Sequence, residues 1–137
     1  MKDSLLDFPV IGDQRGSLVA LEQFKNIPFE IKRVYYIYGN KHKKARGFHA
    51  HYDLQQVLIC VSGSCKVIVD NGKDRKEYKL DKPNQGLIVD RYIWREMYDF
   101  SDDCVLFVLA SDYYDENDYI RNYEEYLIAV NKLKRRG

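Results

Sequence analysis

Through the first 111 residues, apolar and polar positions alternate in short runs, broken at intervals of about 8–12 residues by turn residues. Side chains on a strand point to opposite faces in turn, so this period predicts half-buried strands. The runs fall at 17–22, 32–38, 47–51, 55–61, 65–70, 76–80, 86–89 and 104–110. Asn71-Gly72 is the clearest hairpin turn, because Asn-Gly readily adopts the positive φ values a tight turn requires. No amphipathic helix separates these runs, which excludes a parallel βαβ sheet and predicts a β-sandwich or barrel over about residues 5–111. The period then changes. Tyr119, Tyr123, Tyr126, Leu127, Val130 and Leu133 recur at helical spacing, with Asp115 placed to cap and Lys132, Lys134, Arg135 and Arg136 at the far end. One C-terminal helix over about 116–135 is expected.

A chain of 137 residues suits one domain with one core, here residues 1–137. Twenty-two Lys+Arg against 21 Asp+Glu leave a net charge of +1, so no overall field recruits nucleic acid or an anionic membrane. No run approaches the length of a membrane span, and the opening MKDSLLDF lacks the basic and long apolar regions of a secretory signal. A cytoplasmic location is therefore expected. Cys60, Cys65 and Cys104 fit it: they are odd in number, lack CxxC spacing and lie inside apolar runs, as reduced core thiols do. Residues 41–46 (KHKKAR) read as a solvated loop, apart from Arg46 where the next strand begins.

Candidate chemistry concentrates in Arg46-Gly47-Phe48-His49-Ala50-His51. Strand alternation sends His49 and His51 to one face, and two imidazoles on an inward face are costly unless polar partners use them. An HxH strand within a small β-barrel resembles the first motif of the cupins, with Gly63 as its closing glycine. Metal-binding cupins complete the site with a Glu and a third His. Here Gln55 stands where the Glu belongs, the second-motif region supplies Arg95 in place of His, and His42 lies in the lysine-rich loop. No metal ligand set is expected at this site. A metal-free histidine pair is acid/base machinery, since imidazole titrates near neutrality. Of Tyr35 and Tyr36, alternation lets only one face inward beside it as a phenol acid.

The segments DQRGSLVALE, IPFEIKRVYYIY, RGFHAHYDLQQVLICVSGS, Trp94–Phe100 (WREMYDF) and LASDYYDENDYIRNY resemble those of the dTDP-4-keto-6-deoxy-D-glucose 3,4-ketoisomerases, from about residue 7 to residue 126. These are sugar-nucleotide cupins that prepare 3-amino-3,6-dideoxyhexoses for surface polysaccharides. The resemblance implies an all-β, RmlC-like jelly-roll with one C-terminal helix, no metal or redox cofactor, and a homodimer that exchanges N-terminal strands. It makes His49 the base at the sugar, His51 its partner in proton transfer and Tyr35 the phenol beside them. Arg15, Arg33, Arg46 and Arg95 become the substrate-binding residues. Family members carry either an Arg in the early D-x-R-G segment with a later W-H-E, or W-R-E without that Arg. Arg15 together with Arg95 mixes the two patterns and leaves the C4 configuration of the product open. A 3,5-epimerase acting on the same sugar nucleotide and a non-catalytic sugar-binding cupin are the competing functions.

Overall fold

The structure, a computed structural model, describes residues 5–136, so the single-domain reading at 1–4 and 137, and the first four residues of the MKDSLLDF reading, lie outside the described residues. In chain order the strands are β1 (Leu5–Asp7), β2 (Ile11–Asp13), β3 (Gly16–Leu18), β4 (Arg33–Tyr38), β5 (Arg46–His51), β6 (Gln56–Ser62), β7 (Cys65–Asp70), β8 (Arg75–Leu80), β9 (Gln85–Val89), β10 (Trp94–Tyr98), β11 (Val105–Ala110) and β12 (Tyr119–Ile120), followed by helix α1 (Tyr123–Arg136). They form two five-stranded antiparallel sheets, ordered β1-β9-β6-β11-β4 and β12-β5-β10-β7-β8, with β2 and β3 as a separate hairpin.

The principal core fills the space between the sheets with Leu58, Val67, Val69, Leu87, Leu106 and Val108, all at most 2% exposed. A second cluster (Phe8, Ile27, Phe29, Val57, Ile59, Leu109) covers the outer face of the first sheet. Both faces of β6 are thereby buried, which is why its sequence, Gln-Val-Leu-Ile-Cys-Val-Ser, is a continuous apolar run and not an alternating one. On the second sheet's outer side, α1 packs Tyr126 and Val130 against Ala50, Trp94 and Ile120.

Two expectations are corrected. The predicted strand at 17–22 ends at Leu18, beyond which an irregular segment delivers Ile27 and Phe29 to the second cluster. The helix starts at Tyr123 instead of 116. Asp115 caps only a single 3-10 turn, Glu116–Asp118, and the chain then extends as β12 because Tyr119 and Ile120 pair with His51 and Ala50. Asn122 is the working cap, its side-chain oxygen accepting from the Glu125 amide at 3.0 Å. At the edge of the first sheet β1 pairs with β9, Leu5 opposite Leu87. Among the described residues no helix is long and apolar enough to cross a membrane.

Candidate active site

The site begins at an irregularity in β5. Against β10, Arg95 opposes His49 and Glu96 opposes Gly47, so Phe48 is left without a partner. Gly47 and Phe48 take φ values of 93° and 58°, the second unusual for a bulky residue. A Cβ on Gly47 would stand 3.0 Å from the Arg95 carbonyl oxygen, so glycine permits the close approach of the two strands. Such a bulge re-aims the side chain that follows it. Here that side chain is His49, which lines a cavity of roughly 300 Å³. Its Nδ1 lies 3.1 Å from the Gly47 carbonyl oxygen. A carbonyl only accepts, so Nδ1 carries the hydrogen and Nε2 is left as the basic nitrogen.

His51 stands behind His49 at 1% exposure and does not reach the cavity surface. The two rings are perpendicular, with centroids 4.9 Å apart. Nδ1 of His51 is 3.3 Å from Asp118 Oδ2 without completing a hydrogen bond. The Asp118 carboxylate is itself fixed by the amides of Asp53 and Leu54, at 2.8 and 3.2 Å. Over both rings lies Tyr119, 4.9 Å from His49 and 4.3 Å from His51.

Beneath the cavity, Arg95 is 1% exposed and, among the described residues, lies in no ion pair with a carboxylate. One of its Nη groups donates to Gln56 Oε1 and the other to the Ile93 carbonyl at 3.1 Å. Gln56 Nε2 then donates to the Tyr35 hydroxyl oxygen at 3.0 Å. Tyr35 thus accepts from behind and keeps its own proton for the cavity. Burial first, and the Arg95 charge second, lower His49 to about 4 and His51 to about 2, so both imidazoles are neutral near pH 7. Burial brings Arg95 down to about 10 and pushes Tyr35 up.

The cupin metal does not fit this arrangement. The inward residue at the Glu position is Gln56, not the expected Gln55, which points outward to Asp90 at 3.0 Å. The amide of Gln56 is already committed on both sides, and a buried guanidinium beside it repels a cation.

Of the residues expected from sequence, His49, Tyr35, Arg33 and Arg46 share the cavity, while His51 and Arg95 stand behind its surface. Arg15 is elsewhere. It sits on the β2–β3 hairpin with its side chain 89% exposed, bonded to Asp13. Four residues were missed: Tyr119 and Arg121 on the cavity wall, and Asp118 and Gln56 behind it. Arg121 lies 4.1 Å over the Tyr119 ring and makes a two-pronged contact with Glu116 at 2.8 and 2.9 Å. The alternation of Tyr119, Ile120 and Arg121 was a usable signal, obscured by the helical spacing of Tyr119 with Tyr123 and Tyr126.

Residues 1–131 match the family model described as FdtA: WxcM-like, C-terminal. The chain is 55% identical over 133 residues to the TDP-4-oxo-6-deoxy-alpha-D-glucose-3,4-oxoisomerase of Aneurinibacillus thermoaerophilus, covering 97% of this chain and 96% of that one. Its fold is similar to that of a 3,4-ketoisomerase from Helicobacter canadensis (TM-score 0.90, 52% identity, 93% and 96% of the two chains). It is equally similar to a histidine-to-asparagine variant of the 3,4-ketoisomerase QdtA from Thermoanaerobacterium thermosaccharolyticum in complex with TDP-4-keto-6-deoxyglucose (TM-score 0.90, 46% identity, 93% of each chain). At the level of fold alone the likeness extends to a 3'-monoepimerase from Streptomyces bikiniensis (TM-score 0.71, 16% identity, 84% of this chain and 66% of that one).

Proposed function

This chain belongs to the FdtA family (WxcM-like, C-terminal), is a cupin and is a 3,4-ketoisomerase of TDP-linked sugars, and from that premise we propose that it converts dTDP-4-keto-6-deoxy-D-glucose to a dTDP-3-keto-6-deoxyhexose through an enediol, with His49 as the base. The observation that carries this reading is the neutral His49 ring, its Nδ1–H held by Gly47 and its other nitrogen free, in a cavity shared with two phenols.

The C3 hydrogen is acidic because the C4 ketone delocalises the charge left behind. His49 removes it, and negative charge develops on O4. The Tyr35 proton, backed through Gln56 by the buried Arg95 cation, stabilises that oxyanion in a low-dielectric setting. Protonation at C4 and loss of the O3 proton leave the ketone at C3. Net hydrogen moves from C3 to C4 and from O3 to O4, and no electrons are gained or lost. Tyr119, whose ring touches both histidines and whose side chain lines the cavity, is the second proton carrier. His51 supports it from behind and acts on the sugar only through His49 or Tyr119.

Arg33, Arg46 and Arg121 set positive charge around the mouth for the diphosphate, Arg121 exchanging its contact with Glu116 for phosphate. The molecule works as a homodimer that exchanges its N-terminal hairpin. Val10, Ile11 and Leu18 are 50%, 65% and 56% exposed there, which favours burial against a second copy. The three free thiols suit the cytoplasm, and the C3 ketone produced is the electrophile that an amine-transferring step needs on the way to a 3-amino-3,6-dideoxyhexose of a surface polysaccharide.

The test is incubation with TDP-4-keto-6-deoxyglucose in heavy water, followed by NMR. A 3-keto product with deuterium at C4 is expected. Deuterium at C5 with inverted configuration would make the protein a 3,5-epimerase. Bound but unchanged sugar that keeps its C3 hydrogen would make it a non-catalytic binder.

A further inference from the structure

All three cysteines of the chain converge at one point, away from the cavity. Cys60 lies four residues beyond Gln56 on β6, roughly 13 Å farther along the strand at ~3.3 Å per residue. Cys65 opens β7, and Cys104 immediately precedes β11. The three residues therefore join both sheets at the end of the sandwich opposite the histidines. Their sulfurs all lie within 4.8 Å of one another, and those of Cys60 and Cys104 are 3.6 Å apart. Exposures of 1%, 1% and 4% keep the cluster from water.

Cys60 and Cys104 share a thiol hydrogen bond, and Cys65 brings a third sulfur to the same point. Zinc binds thiolates at ~2.3 Å, which places sulfurs on a tetrahedral edge about 3.8 Å apart. The Cys60–Cys104 pair already spans that edge, and the remaining separations need contraction of about 1 Å or less. In the metal-free state the Cys60 thiol donates to the Ser62 carbonyl oxygen at 3.1 Å. We propose that Cys60, Cys65 and Cys104 form a structural site for one thiophilic divalent cation of the zinc class, which ties the two sheets together. On binding, three S–H bonds break, three metal–sulfur bonds form and three protons leave to solvent.

Reduced, metal-free protein is titrated with Cd²⁺ near neutral pH, while the sulfur-to-cadmium charge-transfer absorption, proton release and thermal midpoint are followed together. The expected result is absorption saturating at one Cd²⁺ per chain, released protons and a raised midpoint. Zn²⁺ should compete for the same site. Cys65→Ala, remote from the cavity, should lose the absorption and the midpoint shift but keep the isomerase rate. A further measurement needs no variant: X-ray absorption of the wild-type zinc adduct should find three sulfur neighbours at ~2.3 Å. A shell of only nitrogen and oxygen, no charge-transfer absorption, or absorption undiminished in Cys65→Ala would overturn the proposal.

Discussion

His49 is neutral because of where it sits, and its pH behaviour follows from that. Burial and the Arg95 charge hold it at about 4, against 6.5 for an ordinary histidine. As a base it works only unprotonated, so kcat/KM should stay level from neutral pH downward and fall on an acid limb near pH 4. Arg95→Met fills a similar volume without the charge and should move that limb to higher pH, which a pH–rate profile of the two proteins reads directly. The same shift bears on stability. Below pH 6.5 the unfolded chain takes up a proton that folded His49 refuses until about 4, so stability is lost as pH falls through that window, and urea midpoints should drop across it. Substitution separates the proton carriers. His49→Asn should cut turnover by roughly 10²-fold or more and stop wash-out of the C3 hydrogen into heavy water, with TDP affinity little changed. Tyr119→Phe should also slow turnover, but with the base intact the C3 hydrogen should still exchange. If Tyr119→Phe turns over normally, the second transfer belongs to Tyr35.

Between residues and the whole fold, the elements differ in how they are specified. Seven strands were legible to within a residue, some by alternation, as in Arg33–Tyr38, where Arg33, Tyr35 and Ile37 turn inward and Val34, Tyr36 and Tyr38 outward, and others, β6 above all, as short apolar runs bounded by turn residues. β10 was not, since Arg95 at its centre is a buried cation, held by the neighbouring Ile93 carbonyl and by Gln56 from a strand far away in the sequence. β12 is two residues long and exists through its pairing with β5, a long-range contact that no local pattern encodes. The choice between Gln55 and Gln56 likewise turned on one residue of register. The α1 helix was foreseen, but not its anchor. The Tyr126 hydroxyl, fully buried, lies 2.8 Å from the Asp70 carbonyl and 2.7 Å from that of Tyr92 and shares its single proton between them. Tyr123 donates to the Asp70 carboxylate at 2.7 Å. Tyr126→Phe removes the hydrogen bond those carbonyls share and should cost ~0.5–1.5 kcal/mol, measured by urea denaturation, while the isomerase rate, set on the other side of β5, holds.

At the scale of the molecule Arg15 stands apart from the other arginines. It projects from a hairpin whose strands pair only with each other among the described residues, and it shares no wall with the cavity of its own chain. In the proposed two-fold dimer, exchange of hairpins would deliver one Arg15 from the other copy to each cavity. Sedimentation should therefore show a dimer at micromolar concentration. Complementation between two crippled variants then decides whether Arg15 acts across the interface. Arg15→Ala should bind substrate weakly and His49→Asn should lack its base, so each homodimer is slow. After the two are mixed, unfolded and refolded together, half of the dimers are mixed. If Arg15 serves the partner, each mixed dimer has one cavity with His49 from one chain and an intact Arg15 from the other. Activity should then return to about a quarter of the native value, one good cavity in every four. If Arg15 serves its own chain, no cavity in any dimer is whole, and the mixture should stay at the average of the two variants.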